Sequence, residues 1–209
     1  MHHFIFPSQD TWISSGSNTT TGESFKDQNF GRDQILEVKK EFYNSSFNYP
    51  TRALVNFNGT EFTELSKSIA DGTIPTLRAA GGTSGTKVYL RLFEAEGNAE
   101  MTEEYKLSVT PISQSWIEGT GKFGDNPKNT NGCSWENRSN PIGGSVVTWN
   151  SPGVTVATAS AADTAGIFDS SSLQSFSNES ADIEVEVTNM VNAWLHIPGP
   201  TLPLVAINN

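Results

Sequence analysis

Apolar and polar positions alternate with a period of two along much of this chain, and that period predicts strands. Ile183-Glu184-Val185-Glu186-Val187 is the cleanest case, with aliphatic side chains on one face and carboxylates on the other. Val88-Tyr89-Leu90-Arg91-Leu92-Phe93 alternates likewise, grouping Val88, Leu90 and Leu92. So does Tyr105-Lys106-Leu107-Ser108-Val109-Thr110, with Tyr105, Leu107 and Val109 inward. Ile35-Leu36-Glu37-Val38 and Ala53-Leu54-Val55-Asn56-Phe57 are short runs of β-formers. Val146-Val147-Thr148-Trp149 and Val154-Thr155-Val156 are predicted as strands around the turn Asn150-Ser151-Pro152-Gly153. Leu54, Leu90, Leu107, Trp149, Val185 and Trp194 are the expected core.

Only two segments carry a helical period. Phe62 to Ala70 spaces Leu65 and Ile69 by four, enough for one or two turns before Asp71-Gly72. Thr188 to Leu195 is better defined: Thr188 as cap, then the stripe Met190, Val191, Trp194, Leu195, with Pro198 beyond. Long polar stretches (14–29, 79–86 and 119–144) separate these elements. The last buries little apolar area by itself, and ordering it costs about 1–2 kcal/mol per residue in backbone entropy. It is therefore expected to be mobile and protease-sensitive in isolation, and ordered by a partner.

The pattern predicts an all-β fold: a jelly-roll-type antiparallel β-sandwich with long loops and one or two short helices. With no internal repeat or shift in composition, residues 1–209 are expected to form a single domain. Composition agrees, since only 35% of residues are hydrophobic and 17% charged, in a background of Ser, Thr, Asn and Gly. A helical bundle would need more Lys, Glu and Ala on its surface.

Charge removes two function classes. The net charge of −10 disfavours nucleic acid and anionic membrane, because both need clustered Lys and Arg, and Lys39-Lys40 is followed directly by Glu41. No apolar run approaches the ~20 residues that span a bilayer. The opening Met1-His2-His3-Phe4-Ile5-Phe6-Pro7 lacks the basic start and long apolar run of a secretory signal, so synthesis in a cytoplasm without export is the expectation. The Asn-x-Ser/Thr triplets are then chance products of an Asn- and Thr-rich chain.

Candidate chemistry is sparse. Cys133 has no second cysteine to pair with, and a catalytic thiolate would want a histidine, whereas His2, His3 and His196 lie near the ends. It is read as a small loop residue. Glu103-Glu104 are adjacent, hence face opposite ways on a strand, and are no glycosidase pair. The glycine-rich run Ala80-Gly81-Gly82-Thr83-Ser84-Gly85-Thr86 lacks the Gly-Lys-Ser/Thr ending of a phosphate cradle. Asp125, Asn126, Asn129 and Asn131 form a loose set of oxygen ligands without EF-hand spacing or a closing Glu; a calcium ion there would be structural. Among the tryptophans, Trp149 and Trp194 belong to apolar faces. Trp116 and Trp135 border the long loop and are the candidate contacts for glycan or partner, although core packing weighs more even there.

Several segments, in order, resemble the DNRLRE-type domains, a jelly-roll family related to carbohydrate-binding modules. They are Asp10-Thr11-Trp12-Ile13, Asn29-Phe30-Gly31 followed by Ile35-Leu36-Glu37-Val38, Arg52-Ala53-Leu54-Val55-Asn56-Phe57 and Leu90-Arg91-Leu92. Trp116-Ile117-Glu118-Gly119, Gly132-Cys133-Ser134-Trp135, Thr148-Trp149-Asn150-Ser151-Pro152-Gly153 and the run from Val187 to Leu195 complete the set. Two departures follow. The family pattern implies a turn and last core strand after the Trp194-Leu195 helix. This chain stops at Ala206-Ile207-Asn208-Asn209, where that turn would begin, so the domain is expected to lack its last strand or to continue into another. Relatives of this type are also mostly secreted bacterial surface proteins with signals. A signal-less acidic β-sandwich instead points by analogy to a bacteriophage virion protein of the tail, neck, baseplate or fibre, made in the host cytoplasm. Its expected partners are other virion subunits and copies of itself, with no catalysis and no cofactor. The alternative is a carbohydrate-binding module of an adhesin or polysaccharide-degrading enzyme, touching a host glycan.

Overall fold

In the computed structural model, which describes residues 2–43, 47–79, 81–93, 95, 105–112, 114–154, 172–176, 182–196 and 204–208, one long strand organises the fold. The elements in chain order are β1 (Pro7–Ser14), β2 (Lys40–Tyr43), β3 (Phe47–Phe57), α1 (Gly59–Ala70), β4 (Tyr89–Leu92) and β5 (Tyr105–Pro111). There follow β6 (Asn137–Ser139), β7 (Val147–Thr148), β8 (Ser172–Phe176), β9 (Ile183–Glu186), α2 (Thr188–His196) and β10 (Leu204–Asn208). Among the described residues the chain is all-β in character, with two short helices and no closed barrel.

β3 is that organiser. Its first half pairs with β2 as a hairpin and its second half with β1, Asp10 opposite Val55 and Ser14 opposite Thr51. On the other side β10 pairs with it, Val205 opposite Val55. The main sheet runs β1-β3-β10-β5-β8, every pair antiparallel, and two small sheets, β4-β9 and β6-β7, complete the strands. Leu204–Asn208 is thus a central strand.

β3 is buried on both faces because it is apolar on both. Ala53 and Val55 join Leu90, Leu107, Val109, Val185, Met190 and Val191 in one cluster, covered by the helices and β4-β9. Leu54 faces the other way, into a cluster with Ile13 of β1 and with Ile112, Trp116, Cys133, Trp149 and Val154 from the segment that follows β5. Trp12, Phe25 and Phe30 form a third cluster, with Trp12 stacked on Phe30 at 3.7 Å between ring centroids.

The alternation in β4, β5 and β9 reads as the sequence predicts: Leu90, Leu107, Val109 and Val185 are buried, while Tyr89 and Phe93 are exposed. Outward charges pair on the small sheet: Arg91 with Glu184 across its two strands at 3.4 Å, and Arg78, from the connection before β4, with Glu186. Trp194 is half-buried, edge-on to Phe62 at 5.9 Å.

Three predicted elements differ. Residues 35–38 form no ladder, and the strand begins at Lys40, where the hairpin partner lies. The apolar run there serves packing instead: Leu36 and Val38 rest against the first cluster and Ile35 is exposed. α1 starts at Gly59 rather than Phe62, because Asn58 caps it by accepting from the Thr60 N–H at 2.9 Å, with Glu61 in the first turn. Thr188 does not cap from outside; it is the first residue of α2, and its hydroxyl accepts from the Val88 N–H at 3.0 Å, tying β4 to the helix. Glu103-Glu104 and Thr155-Val156 lie outside the described residues.

Candidate functional site

The buried Asn29 ties the long polar loop together from within. A side-chain amide has two donors and two acceptor lone pairs, and Asn29, with no exposure, uses all four. Its Nδ2 donates to the carbonyls of Glu118 (2.6 Å) and Cys133 (2.8 Å). Its Oδ1 accepts from the N–H groups of Gly31 (3.2 Å) and Gly121 (2.8 Å). Its backbone N–H donates to the Asn129 carbonyl at 2.9 Å, so one residue binds loop segments from 118 to 133. Glycine is required around it. A Cβ on Gly119, at φ +87°, would overlap the Asn131 carbonyl oxygen, and one on Gly132, at φ +117°, would overlap Gly119 and the Asn29 amide. Three of the short motifs, Asn29-Phe30-Gly31, Trp116-Ile117-Glu118-Gly119 and Gly132-Cys133-Ser134-Trp135, are therefore parts of one knot.

Neighbouring groups extend it. Asp33 accepts from the Trp12 indole N–H (2.9 Å) and from the Phe123 N–H (3.1 Å). Glu118 accepts from the Asp10 N–H at 3.1 Å, so the loop lies across the outer edge of β1. Partial burial raises the Asp10 pKa from the usual carboxylate value.

The candidate contact tryptophans are mostly taken up by packing. Trp116 is 6% exposed within the second cluster, its indole N–H without a partner. That leaves its ring no open face for a sugar. Trp135 is half-buried, with the Arg52 guanidinium 5.2 Å from its ring centroid. A Cβ on Gly153 would collide with its indole. Arg52 also donates to the carbonyls of Gly153 and Val154, pinning a turn in which Val154 has φ 74°, a strained value for a β-branched residue. Trp149 is buried and donates to the Ser134 carbonyl at 2.8 Å. Cys133 is fully buried, and burial pushes its thiol pKa up, so the thiol stays protonated and is no nucleophile.

Beside the knot lies an open polar groove of about 640 Å³, between the 125–131 loop and the 140–144 turn. It contains Asp125, Asn126, Asn129 and Asn131, the loose oxygen set of the sequence, but brings a single carboxylate. Among the described residues no three His, Cys, Asp or Glu side chains stand together. Its one cation, Lys128, is held from outside by Asp27 at 2.7 Å. The exposed Ile142 tops the turn. Asn29 stood in the sequence only as part of the Asn29-Phe30-Gly31 motif, and the groove only as the oxygen set of one of its walls; the bonding role of Asn29 and the second wall at 140–144 had no signal. The groove is made by two segments that only the fold brings together.

Compared with known proteins, the chain matches no family model, no curated protein and no solved structure.

Proposed function

We propose that this chain is a non-enzymatic assembly protein, a jelly-roll-type sandwich that works through protein–protein contacts in a phage particle. The observation carrying this reading is where the large apolar side chains sit. The tryptophans that could have made a sugar platform are buried or packed against, whereas Phe4, Phe6 and Phe93 are 66%, 71% and 73% exposed. Phe4 and Phe6 flank Ile5, which packs inward, so the segment before β1 turns two phenyl rings outward. Fully burying one such ring contributes about 1.5–3 kcal/mol, which a subunit interface supplies and free solution does not. The buried, protonated thiol of Cys133 fits a non-catalytic role. The β1-β3-β10-β5-β8 order, with β3 covered on both faces, fits a sandwich whose far-apart segments meet at its centre.

Cross-linking mass spectrometry of purified particles tests the proposal. The expected result is this chain at stoichiometric abundance, with cross-links from the residues around Phe4 and Phe6 to neighbouring subunits, lost together with incorporation in a Phe4→Ser, Phe6→Ser variant. Absence from the particles, or unchanged incorporation of that variant, would overturn it.

A further inference from the structure

We propose that the segment before β1 is a strand donor and the outer edge of β7 its acceptor, so that copies of this chain join head to tail. This inference rests on the assembly reading and names the partner that Phe4 and Phe6 meet.

The donor is extended and unpaired. Phe4 and Phe6 point outward and Ile5 inward, the period of a strand. Yet the ladder with β3 begins only at Pro7, and residues 3–6 make no backbone hydrogen bond to any described residue. Their N–H and carbonyl groups are therefore open to a second strand.

The acceptor is a short edge strand in an apolar setting. β7 pairs with β6 alone among the described residues. Trp149 turns its N–H to the Glu136 carbonyl on the β6 side at 3.2 Å, so by alternation Thr148 presents its N–H and carbonyl on the outer side. Beside that edge Val146 is 55% exposed and Ile142, in the preceding turn, 87%; Val147 is exposed as well. Ile117 extends the patch beyond β6, its N–H donating to the Arg138 carbonyl at 3.0 Å. An open edge flanked by large apolar side chains takes an added strand, whose main-chain bonds supply affinity and whose alternate side chains meet the patch.

Charge selects where two copies can touch. Each carries −10, and like bodies repel, so contact is favoured where acids are absent. The donor run 1–9 holds no Asp or Glu, and 137–162 is the longest run in the chain without one. One chain cannot satisfy itself. The donor is anchored through Ile5 to the cluster on one face of β3, whereas β7 leads into Trp149, buried in the cluster on the other face. A contact between two different patches then propagates from copy to copy, as a ring or an open filament.

Sedimentation velocity on the full chain tests this with two variants changed only at exposed positions. Phe4→Ser, Phe6→Ser lacks the donor rings, and Ile142→Ser, Val146→Ser lacks the acceptor patch. The parent is expected to form dimers and larger species that grow with concentration, and each variant to sediment as a monomer with the parent's melting temperature. An equimolar mixture of the two variants should form dimers and nothing larger, because it retains one intact donor and one intact acceptor. A parent or a mixture that stays monomeric overturns the pairing, and so does either variant dimerising alone, which marks arm-to-arm or β7-to-β7 contact. The assembly reading falls separately, by absence of the chain from purified particles. Cross-links in particles from Phe4 and Phe6 to a different subunit would overturn this inference alone.

Discussion

Replacing Asn29 by Ala removes one amide and leaves four backbone groups without it: the carbonyls of Glu118 and Cys133 and the N–H groups of Gly31 and Gly121. At about 1–3 kcal/mol for each buried polar group left unmet, the bracket is about 4–12 kcal/mol. The vacated space has room for about one water of ~30 Å³, which would re-bond some of them, so the expected loss is about 3–5 kcal/mol. That is a large share of the ~5–15 kcal/mol that holds a domain folded. Urea unfolding followed by tryptophan fluorescence measures it. Limited proteolysis locates it, since cleavage should appear within 119–144 first. Asn29→Asp makes the sharper comparison, because it keeps the shape but sets a carboxylate oxygen against carbonyl oxygens. Burial raises that carboxylate's pKa above its unfolded value, so the Asp variant loses stability as pH rises through the unfolded value near 4, and recovers part of it on acidification. If Asn29→Ala cost less than about 1 kcal/mol and left the loop as protease-resistant as before, the knot would not be what orders it.

Three further outcomes follow from the same geometry. Trp116→Phe removes an indole N–H that has no partner and should change stability by less than about 1 kcal/mol beyond packing, whereas Trp149→Phe strands the Ser134 carbonyl and should cost about 1–3 kcal/mol more; equal effects in chemical denaturation would refute the assignment. Gly119→Ala puts a Cβ on the Asn131 carbonyl at a positive φ, and should prevent accumulation of folded protein or lower its melting temperature by many degrees. Asp10→Asn should raise the melting temperature at pH 7: burial raises the folded-state pKa of Asp10, so the charged form works against folding above the unfolded value of 3.8, and the advantage should fade as pH falls below it.

The strands of alternating pattern were legible in the chain because a half-buried strand needs only a local period. β4, β5 and β9 present the faces that Leu90, Leu107, Val109 and Val185 dictate. The α1 start was legible too, in Asn58 and Glu61, although the apolar spacing from Phe62 alone concealed it. The 35–38 run was not, since a strand exists only with a partner, and Leu36 finds a core instead of a ladder. Trp116 and Trp135 show the same limit: a tryptophan's exposure depends on which face of another segment meets it, and the second cluster reaches Trp116 from β1, β3 and the 133–154 segment. Composition alone made the 119–144 loop look unable to order itself. What it lacked in apolar area is supplied by hydrogen bonds from a residue some 90 positions earlier, Asn29 to Gly121 being 92 apart. Local sequence determined the periods, caps and turns; only the tertiary structure decided where a long-range partner turns a polar loop into a rigid wall, because an amide's four bonds have no sequence pattern until the chain has brought their partners together.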